Sequence, residues 1–358
     1  MKKLFLFALF AALCCSCTES GTDENTDPNG GSNSGQTTPP DPDSDAKDVI
    51  HVPKGGMLAG ILNELGLKSP SSLKLSGTLG VSDFTTLRNI QSLEHLDISR
   101  VNLSVLPTEA FLECTNIKSV ILPNTLTAIG TQAFWGSSLV SISIPASVEE
   151  IRGSAFFGCS SLKTVTFEKG SKLKTVAGFS HCTSLTTIEI PASVETIGQY
   201  AFSDCTSLHT VTFEKGSKLK TIGSDVFLNC TSLTMIEIPA SVETIEDQAF
   251  EGCSLLATVT FEKGSQLKTV DGFSNCTALT TVDMSACTQV TRIEYRAFYE
   301  DSKLQLFKIG TRTPPSCGRN VFTGINSYSV LKVPAGCVDA YKNATGWKEF
   351  TTISELDE

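Results

Sequence analysis

Metal-binding and catalytic motifs are scarce in this chain of 358 residues. No C-x-x-C pair occurs apart from Cys14 and Cys17, and the four histidines are scattered at His51, His95, His181 and His209. Zinc sites usually need such ligands at short spacing. The sequence also lacks a G-x-S-x-G elbow, a Cys–His pairing and a glycine-rich phosphate loop. We therefore expect no metal, no cofactor and no enzymatic activity.

Basic residues are also fewer than acidic residues. The sequence has 28 Lys and Arg residues against 38 Asp and Glu residues, which gives a formal net charge of −10 at pH 7. A field of this sign repels nucleic acid and anionic lipid. We therefore expect no nucleic-acid partner, and binding to an anionic membrane surface would need a local basic patch.

Long apolar runs are absent except at the N-terminus, which reads MKKLFLFALFAALCCSC. Lys2 and Lys3 precede an apolar run, Leu4 to Leu13, that is too short to span a bilayer but suits the core of a signal peptide. The cysteines that end the run resemble the lipobox of bacterial lipoproteins, in which a cysteine after a small residue is lipidated.

This resemblance implies a signal peptide over residues 1–16 and lipid attachment at Cys17, with Cys15 as the second choice. Cys14 stands where a lipobox usually has Leu or Val, so the lipidation frame among the three cysteines stays open. The alternative interpretation is a plain secretory signal with cysteines in its flank. A multiply acylated N-terminus would attach the chain stably to a membrane.

Residues 17–48 contain no aromatic side chain and almost nothing apolar. Such a segment cannot bury enough surface to offset the entropy of ordering, so we predict a disordered tether. Glu19, Asp23 and Glu24 resemble the acidic stretch that is associated with surface export in lipoproteins of Bacteroidota. Together these features predict an exported lipoprotein of the outer membrane, displayed at the cell surface.

Two motifs repeat along the rest of the chain. The octapeptide TVTFEKGS occurs at residues 164–171, 210–217 and 258–265. A motif of Ala, Gly or Val, then Phe, two variable residues and Cys recurs at steps of 23, 23, 25, 23 and 23 residues. Its cysteines are Cys159, Cys182, Cys205, Cys230, Cys253 and Cys276. A period in the twenties is typical of a stacked solenoid, and the octapeptide indicates duplication of a two-turn structural unit.

Each period contains one strand and one return segment. Leu185, Ile188 and Ile190 show a strand pattern, and Pro191 ends the strand because it has no N–H to donate. We predict a right-handed solenoid with one parallel β-sheet and a short irregular or helical convex side. The repeats span residues 93–304, between an N-terminal cap segment over 49–92 and a C-terminal capping unit over 305–358.

The consensus L-x-x-I-x-I-P-x-S-V-x-x-I-x-x-x-A-F-x-x-C closely resembles the BspA-like class of bacterial leucine-rich repeats. IEIPASVETI occurs unchanged at 188–197 and 236–245. Residues 72–99 and 313–350 resemble the caps of these proteins, with Trp347 as an apolar plug at the open end. The resemblance implies a non-enzymatic surface adhesion protein that binds host extracellular-matrix proteins such as fibronectin or fibrinogen.

Outward strand residues are the best candidates for a binding face. They run in pairs, with a carboxylate at every second turn: Thr164, Thr166, Thr187, Glu189, Thr210, Thr212, Met235, Glu237, Thr258, Thr260, Thr281 and Asp283. Threonine also suits any solvated strand, so the prediction concerns the face as a whole. The face lacks aromatic platforms for sugars, which favours a protein partner. The alternatives are a glycan-binding accessory lipoprotein of a surface uptake system and a purely structural envelope protein.

The repeat cysteines share one inward slot after the Phe, which predicts a buried column of thiols that pack as small hydrophobic groups. Ser137 and Asp301 fill the same slot in other turns, and a bridge between Cys317 and Cys337 stays open.

The bends of the octapeptide predict a basic ridge, either solvated or in contact with an acidic partner, and moderated by Glu168, Glu214 and Glu262. Its lysines are Lys169, Lys172, Lys174, Lys215, Lys218, Lys220, Lys263 and Lys268.

Overall fold

A computed structural model describes residues 48–357 of the chain. The first part contains β1 (Val49–Val52), α1 (Leu58–Glu64), β2 (Ser72–Gly77), α2 (Val81–Asn89), β3 (His95–Val101), β4 (Val105–Leu106), β5 (Ser119–Ile121), β6 (Ala128–Ile129), β7 (Ser141–Ile144) and β8 (Glu150–Ile151). The central part contains β9 (Thr164–Phe167), β10 (Thr175–Val176), β11 (Thr187–Ile190), β12 (Thr196–Ile197), β13 (Thr210–Phe213), β14 (Thr221–Ile222), β15 (Met235–Ile238) and β16 (Thr244–Ile245). The last part contains β17 (Thr258–Phe261), β18 (Thr269–Val270), β19 (Thr281–Met284), β20 (Arg292–Ile293), β21 (Leu306–Ile309), β22 (Ser316–Cys317), β23 (Val330–Val333), α3 (Val338–Asn343), a 3-10 helix (Trp347–Glu349) and β24 (Thr352–Glu355).

These strands form two parallel ladders along a solenoid. The longer strands pair in the order β1-β2-β3-β5-β7-β9-β11-β13 and, after a break, β15-β17-β19-β21-β23-β24; we call this the long-strand ladder. The ten even-numbered strands from β4 to β22, each of two residues, form a second ladder, which we call the short-strand ladder. The predicted solenoid is confirmed. The short-strand ladder was not predicted, because two residues are too few to show a period.

A column of phenylalanine rings fills the centre of the solenoid. Successive ring centroids lie 4.7 to 5.7 Å apart, with ring planes within 21° of parallel. The rings are Phe111, Phe134, Phe156, Phe179, Phe202, Phe227, Phe250, Phe273, Phe298 and Phe322. One turn alone would leave its ring uncovered, so stacking of neighbouring turns is what buries the core.

Between β5 and β17, strand pairing in the long-strand ladder alternates between extensive and minimal. β7 pairs with β9, β11 with β13 and β15 with β17 through four residues each, whereas β9 pairs with β11 only at Thr164 and Thr187. The cause is the proline after β7, β11 and β15. The N–H of Glu214 donates to the carbonyl of Ile190 at 2.9 Å, but Pro191, at the same position one turn earlier, has no N–H. The two-turn repeat is therefore also a unit of hydrogen bonding.

The break between β13 and β15 falls in a turn that is two residues longer than the turns on either side. Thr210 and Met235 are 25 residues apart, because this turn combines the E-K-G-S-K-L-K bend with a full-length S-D-V-F segment. Turns that carry the bend elsewhere have a shortened G-F-S segment and 23 residues.

Aromatic side chains close the ring column at both ends. Phe84 of α2 meets Phe111 edge-on at 5.6 Å. At the other end Trp347 is fully buried beside Phe322, with a centroid distance of 5.2 Å. The indole N–H of Trp347 donates to the carbonyl of Pro315 at 3.0 Å, which satisfies the polar atom of this apolar plug.

Within residues 48–357 the structure has no helix with the length and hydrophobicity that crossing a bilayer requires. The predicted signal peptide, the candidate lipidation sites Cys14, Cys15 and Cys17, and nearly all of the predicted tether lie outside the described residues.

Candidate functional site

The predicted binding residues line up in two columns on the outer side of the long-strand ladder, which we call the sheet face. The first column contains Thr164, Thr187, Thr210, Met235, Thr258 and Thr281, and the second contains Thr166, Glu189, Thr212, Glu237, Thr260 and Asp283. Side chains from Thr164 to Glu237 are almost all exposed, and those from Thr258 to Asp283 are half-buried. The most accessible part of the sheet face therefore lies on β9 to β15.

The sheet face opens into a recess of about 280 Å³ where β9 and β11 diverge. Val165, Phe167 and Pro191 give it an apolar interior, and its polar lining is Thr166, Glu168, Lys169, Glu189 and Glu214. The recess exists because Pro191 does not extend the pairing of β11 with β9. Three carboxylates against one ammonium group make it acidic.

Two of these carboxylates also hold neighbouring turns together. Glu168 accepts a hydrogen bond from the backbone N–H of Ala146 at 3.2 Å, and Glu214 accepts one from Ala192 at 2.9 Å. Glu262 does the same for Ala240 at 2.9 Å. Each alanine directly follows the proline that ends a strand, so the glutamate replaces the backbone partner that this N–H lacks.

The sequence predicted that the bend lysines form a basic ridge. The structure corrects this prediction at Lys174, Lys220 and Lys268, which pair with glutamates. Lys174 forms an ion pair with Glu195 at 2.7 Å. Lys220 and Lys268 both pair with Glu243, at 2.9 and 2.6 Å, and these two lysines hold the pKa of Glu243 down at about 2. The lysines therefore alternate with glutamates of the intervening turns, because those turns carry V-E-T where the others carry L-K-T.

The six repeat cysteines are fully buried and form no disulfide. Each thiol lies within hydrogen-bonding distance of the phenylalanine carbonyl of the preceding turn, as Cys205 does with Phe179 at 3.1 Å. The other five S···O distances are 2.9 to 3.3 Å. Burial raises the pKa of Cys253 to about 12, so this thiol is held neutral. Cys317 and Cys337 are free as well.

A second recess has a volume of about 210 Å³. It lies on the side of the solenoid that carries neither strand ladder and that consists of the A-F-x-x-C segments. Tyr295, Arg296 and Tyr299 form one wall, and Asp247 and Glu251 stand on the opposite wall. This site was not predicted from the sequence. The signal available was that Tyr295 departs from the small or polar residue at the equivalent position of other turns, such as Gln199.

Asp271 forms part of the floor of this second recess. Its Oδ1 accepts the backbone N–H of Gly272 at 2.6 Å. Burial raises the pKa of Asp271 to about 7. Burial also raises the pKa of Asp247, with Asp225 and Glu251 contributing by charge repulsion. Within the described part of the chain, no group of three or more His, Cys, Asp or Glu side chains is arranged to hold a metal ion.

Several solved structures resemble this chain. A leucine-rich repeat protein from Bacteroides ovatus is 23% identical, with 80% of this chain and 82% of that chain covered and a TM-score of 0.40. A leucine-rich cell surface protein from Faecalibacterium prausnitzii is 24% identical over 60% and 73% of the two chains, with a TM-score of 0.35. A leucine-rich repeat protein of T. pallidum is 23% identical over 57% and 83%, with a TM-score of 0.42. No curated protein matches the sequence.

The family model of the BspA type leucine rich repeat region matches in six copies, over residues 84–178, 172–305 and 269–353. These matches cover most of the sequence and include the ring column, the short-strand ladder and the long-strand ladder from β3 to β23. The chain belongs to the BspA-type leucine-rich-repeat family.

Proposed function

We propose that this chain is an exported, non-enzymatic surface lipoprotein, attached to the outer membrane through Cys17, whose sheet face binds a host extracellular-matrix protein. Membership of a repeat family that builds extended surfaces for protein partners supports the interaction role. The lipobox-like N-terminus supports export and lipid attachment. The fold by itself does not determine the partner, so the proposal depends on the surface chemistry of the repeats.

The recess between β9 and β11 is the observation that carries the proposal. Interface hot spots combine a central apolar contact with a surrounding polar rim, and here Phe167 and Pro191 lie inside a rim of Glu168, Glu189 and Glu214. An acidic rim favours a basic side chain on the partner. We therefore expect the partner to insert an arginine or lysine beside Glu189.

Charge reversal on the sheet face tests this site. In the full-length chain, Glu189→Lys together with Glu237→Lys should weaken binding to immobilised fibronectin or fibrinogen by about tenfold or more, because each reversal places like charges opposite each other. Asp283 is unsuitable for this purpose, since it already pairs with Lys308 at 2.9 Å. Surface plasmon resonance would measure the change in dissociation constant.

Glu149→Lys is the matched control. Glu149 is exposed and immediately precedes β8 of the short-strand ladder, away from the sheet face. This variant should bind like the unmodified chain. Equal weakening by the control would indicate a general charge effect, and unchanged binding of the sheet-face variant would rule out this face.

Surface display has a separate test. Intact cells are treated with a protease, and fragments of residues 49–358 are detected with an antibody. Cleavage on intact cells is the expected result. Protection on intact cells, with digestion after lysis, would place the solenoid in the periplasm and contradict the adhesion role.

A further inference from the structure

The second recess has a geometric cause in the lengths of three successive turns. Three positions separate Val270, the end of β18, from Phe273, whereas five separate Ile245 from Phe250 and five separate Ile293 from Phe298. The middle turn is therefore shorter than both neighbours, and it forms a floor between two higher walls. Gly272 is needed in this floor, because a Cβ there would lie 2.3 Å from the backbone nitrogen of Ala249.

The same geometry occurs once more along the solenoid with different side chains. Val176 and Phe179 are also separated by three positions, between two full-length turns. There Ala177 stands in place of Asp271, Gly153 in place of Asp247, and Gln199 and Ser203 in place of the two tyrosines. The fold therefore requires the short turn but not the chemistry of the second recess.

The recess has a guanidinium group on one wall and a carboxylate on the other, and neither pairs with another side chain among residues 48–357. The Arg296 guanidinium carbon stands 5.0 Å from the Tyr295 ring centroid and 4.6 Å from that of Tyr299. Within residues 48–357 its N–H groups have neither an ion-pair nor a hydrogen-bond partner. Asp247 on the other wall accepts a hydrogen bond from the adjacent backbone N–H of Gln248 and pairs with no other side chain among residues 48–357. These groups are available to a ligand.

Glu251 has a different role from Asp247, because two amides hold it in place. Gln248 donates to its Oε2 at 2.5 Å, and Asn275 donates to its Oε1 at 3.3 Å across the short turn. The acidic wall is therefore preorganised before any ligand arrives, which lowers the entropy lost on binding.

The charges around the recess disfavour an anion, which would meet Asp247, Glu251 and Asp271. A cationic ligand would have to compete with Arg296, which already lies over both tyrosine rings. A neutral polyhydroxylated ligand can use the carboxylates and the guanidinium together. Its hydroxyls can accept from the guanidinium and donate to the carboxylates, while the apolar side of a sugar ring packs on an aromatic wall.

We propose that the recess formed by Asp247, Asp271, Tyr295, Arg296 and Tyr299 binds one unit of a neutral saccharide. Its volume of about 210 Å³ accepts a single sugar ring, and a longer glycan would continue over the neighbouring turns. The site is separate from the sheet face, so that the protein would hold a protein partner and a glycan on different sides.

Saturation-transfer-difference NMR on the full-length chain provides the first test. The probes are neutral oligosaccharides of glucose, galactose, mannose and N-acetylhexosamines, with a sialylated oligosaccharide and a lysine-rich peptide for comparison. We expect signal from at least one neutral sugar. Signal only from the sialylated probe or the peptide, or from none of the probes, would overturn the proposal.

Variants then locate the site for the tightest neutral sugar. Asp271→Ala introduces the residue that the other short turn already carries at Ala177, so it should fold, and Tyr295→Ala removes the aromatic wall. Each should weaken binding about tenfold. Tyr328→Ala removes a tyrosine outside the recess that is 85% exposed and should leave affinity unchanged, as should Glu189→Lys on the sheet face. Unchanged affinity in both recess variants would overturn the assignment.

Discussion

Asp301 occupies the slot that seven turns fill with cysteine, and it is completely buried. Its Oδ1 accepts the backbone N–H of Cys276 at 2.9 Å, whereas its Oδ2 is buried without a partner. Burial raises the pKa of this carboxyl well above its usual range, because a charge is poorly solvated there. One position in the core formed by phenylalanine rings and cysteine thiols therefore carries a carboxyl group, which the neighbouring turns do not have there.

Replacement of Asp301 should stabilise the solenoid and flatten its pH dependence. The folded chain keeps the carboxyl protonated at a pH at which the unfolded chain ionises it. Stability contributed by this group is therefore present below about pH 4 and is lost as the pH rises toward the raised folded pKa. Asp301→Cys should raise the free energy of unfolding near pH 7 by about 1–3 kcal/mol. Denaturant unfolding at about pH 4 and about pH 8 measures both effects.

Glu149→Gln removes an exposed carboxyl and serves as the control for this comparison. It should leave the dependence of unfolding free energy on pH as it was. A variant at Asp301 that is less stable than the unmodified chain at about pH 8 would show that the Cys276 hydrogen bond outweighs the burial of the carboxyl.

The sequence identified Asp301 as an occupant of the cysteine slot because the motif has a fixed spacing. It did not predict which oxygen would meet a donor, since that depends on how closely the next turn approaches. The same limit applies to Tyr295 and Arg296. Their departure from the repeat is visible in the sequence, but Asp247 lies two turns away and only stacking brings it opposite them.

At the scale of elements, the E-K-G-S bend links adjacent turns through its glutamate. The carboxylate of Glu214 reaches the backbone N–H of Ala192, 22 residues earlier, at 2.9 Å. Pro191 precedes this alanine and contributes no N–H of its own. The bend therefore adds a side-chain contact inside the two-turn unit, between turns whose strands β11 and β13 already pair through four residues.

Glu214→Ala should lower the free energy of unfolding by about 1 kcal/mol, because the N–H of Ala192 loses its protein partner and turns to water. Lys215→Ala, in the same bend, is the control and should change it by less than about 0.5 kcal/mol. Thermal or chemical denaturation of both variants gives the comparison. Equal effects of the two substitutions would mean that the glutamate acts only through the conformation of the bend.

Strands of the long-strand ladder were predictable because alternating apolar residues mark them and a proline ends β7, β11 and β15. The short-strand ladder was not, since T-I or T-V dipeptides such as Thr196–Ile197 show no alternation. The lysine positions were misjudged for a related reason. Lys174 and Glu195 lie in different turns, and only the register of β10 and β12 places them side by side.

At the scale of the molecule, each turn is stabilised by contacts with its neighbours, and a cap covers each end of the solenoid. Phe84 covers the ring column at one end, and Trp347 covers it at the other. Repeat proteins of this kind behave approximately as a sum of units and nearest-neighbour interfaces. The number of turns is therefore adjustable, provided that the caps remain and that every interface joins compatible turns.

Deletion of residues 188–235 removes one two-turn unit and joins Thr187 to the second copy of IEIPASVETI at 236–245. In this variant β9 lies beside β15. A strand without a following proline then meets a proline-terminated strand, as β9 meets β11 in the unmodified chain. This variant should fold with a single cooperative unfolding transition and should be shorter by about 10 Å, measurable by small-angle X-ray scattering.

Deletion of the single turn 165–187 should be more damaging, although it removes fewer residues. It joins Thr164 to Ile188, so that two proline-terminated strands become neighbours. The new strand ends at Pro191, which cannot replace the N–H of Glu168 that donates to Ile144 at 3.0 Å, and the Glu168 carboxylate is lost from Ala146 as well. We expect a lower midpoint of denaturation than for the two-turn deletion. A single-turn variant as stable as the two-turn variant would show that individual turns, and not pairs, are the units of this solenoid.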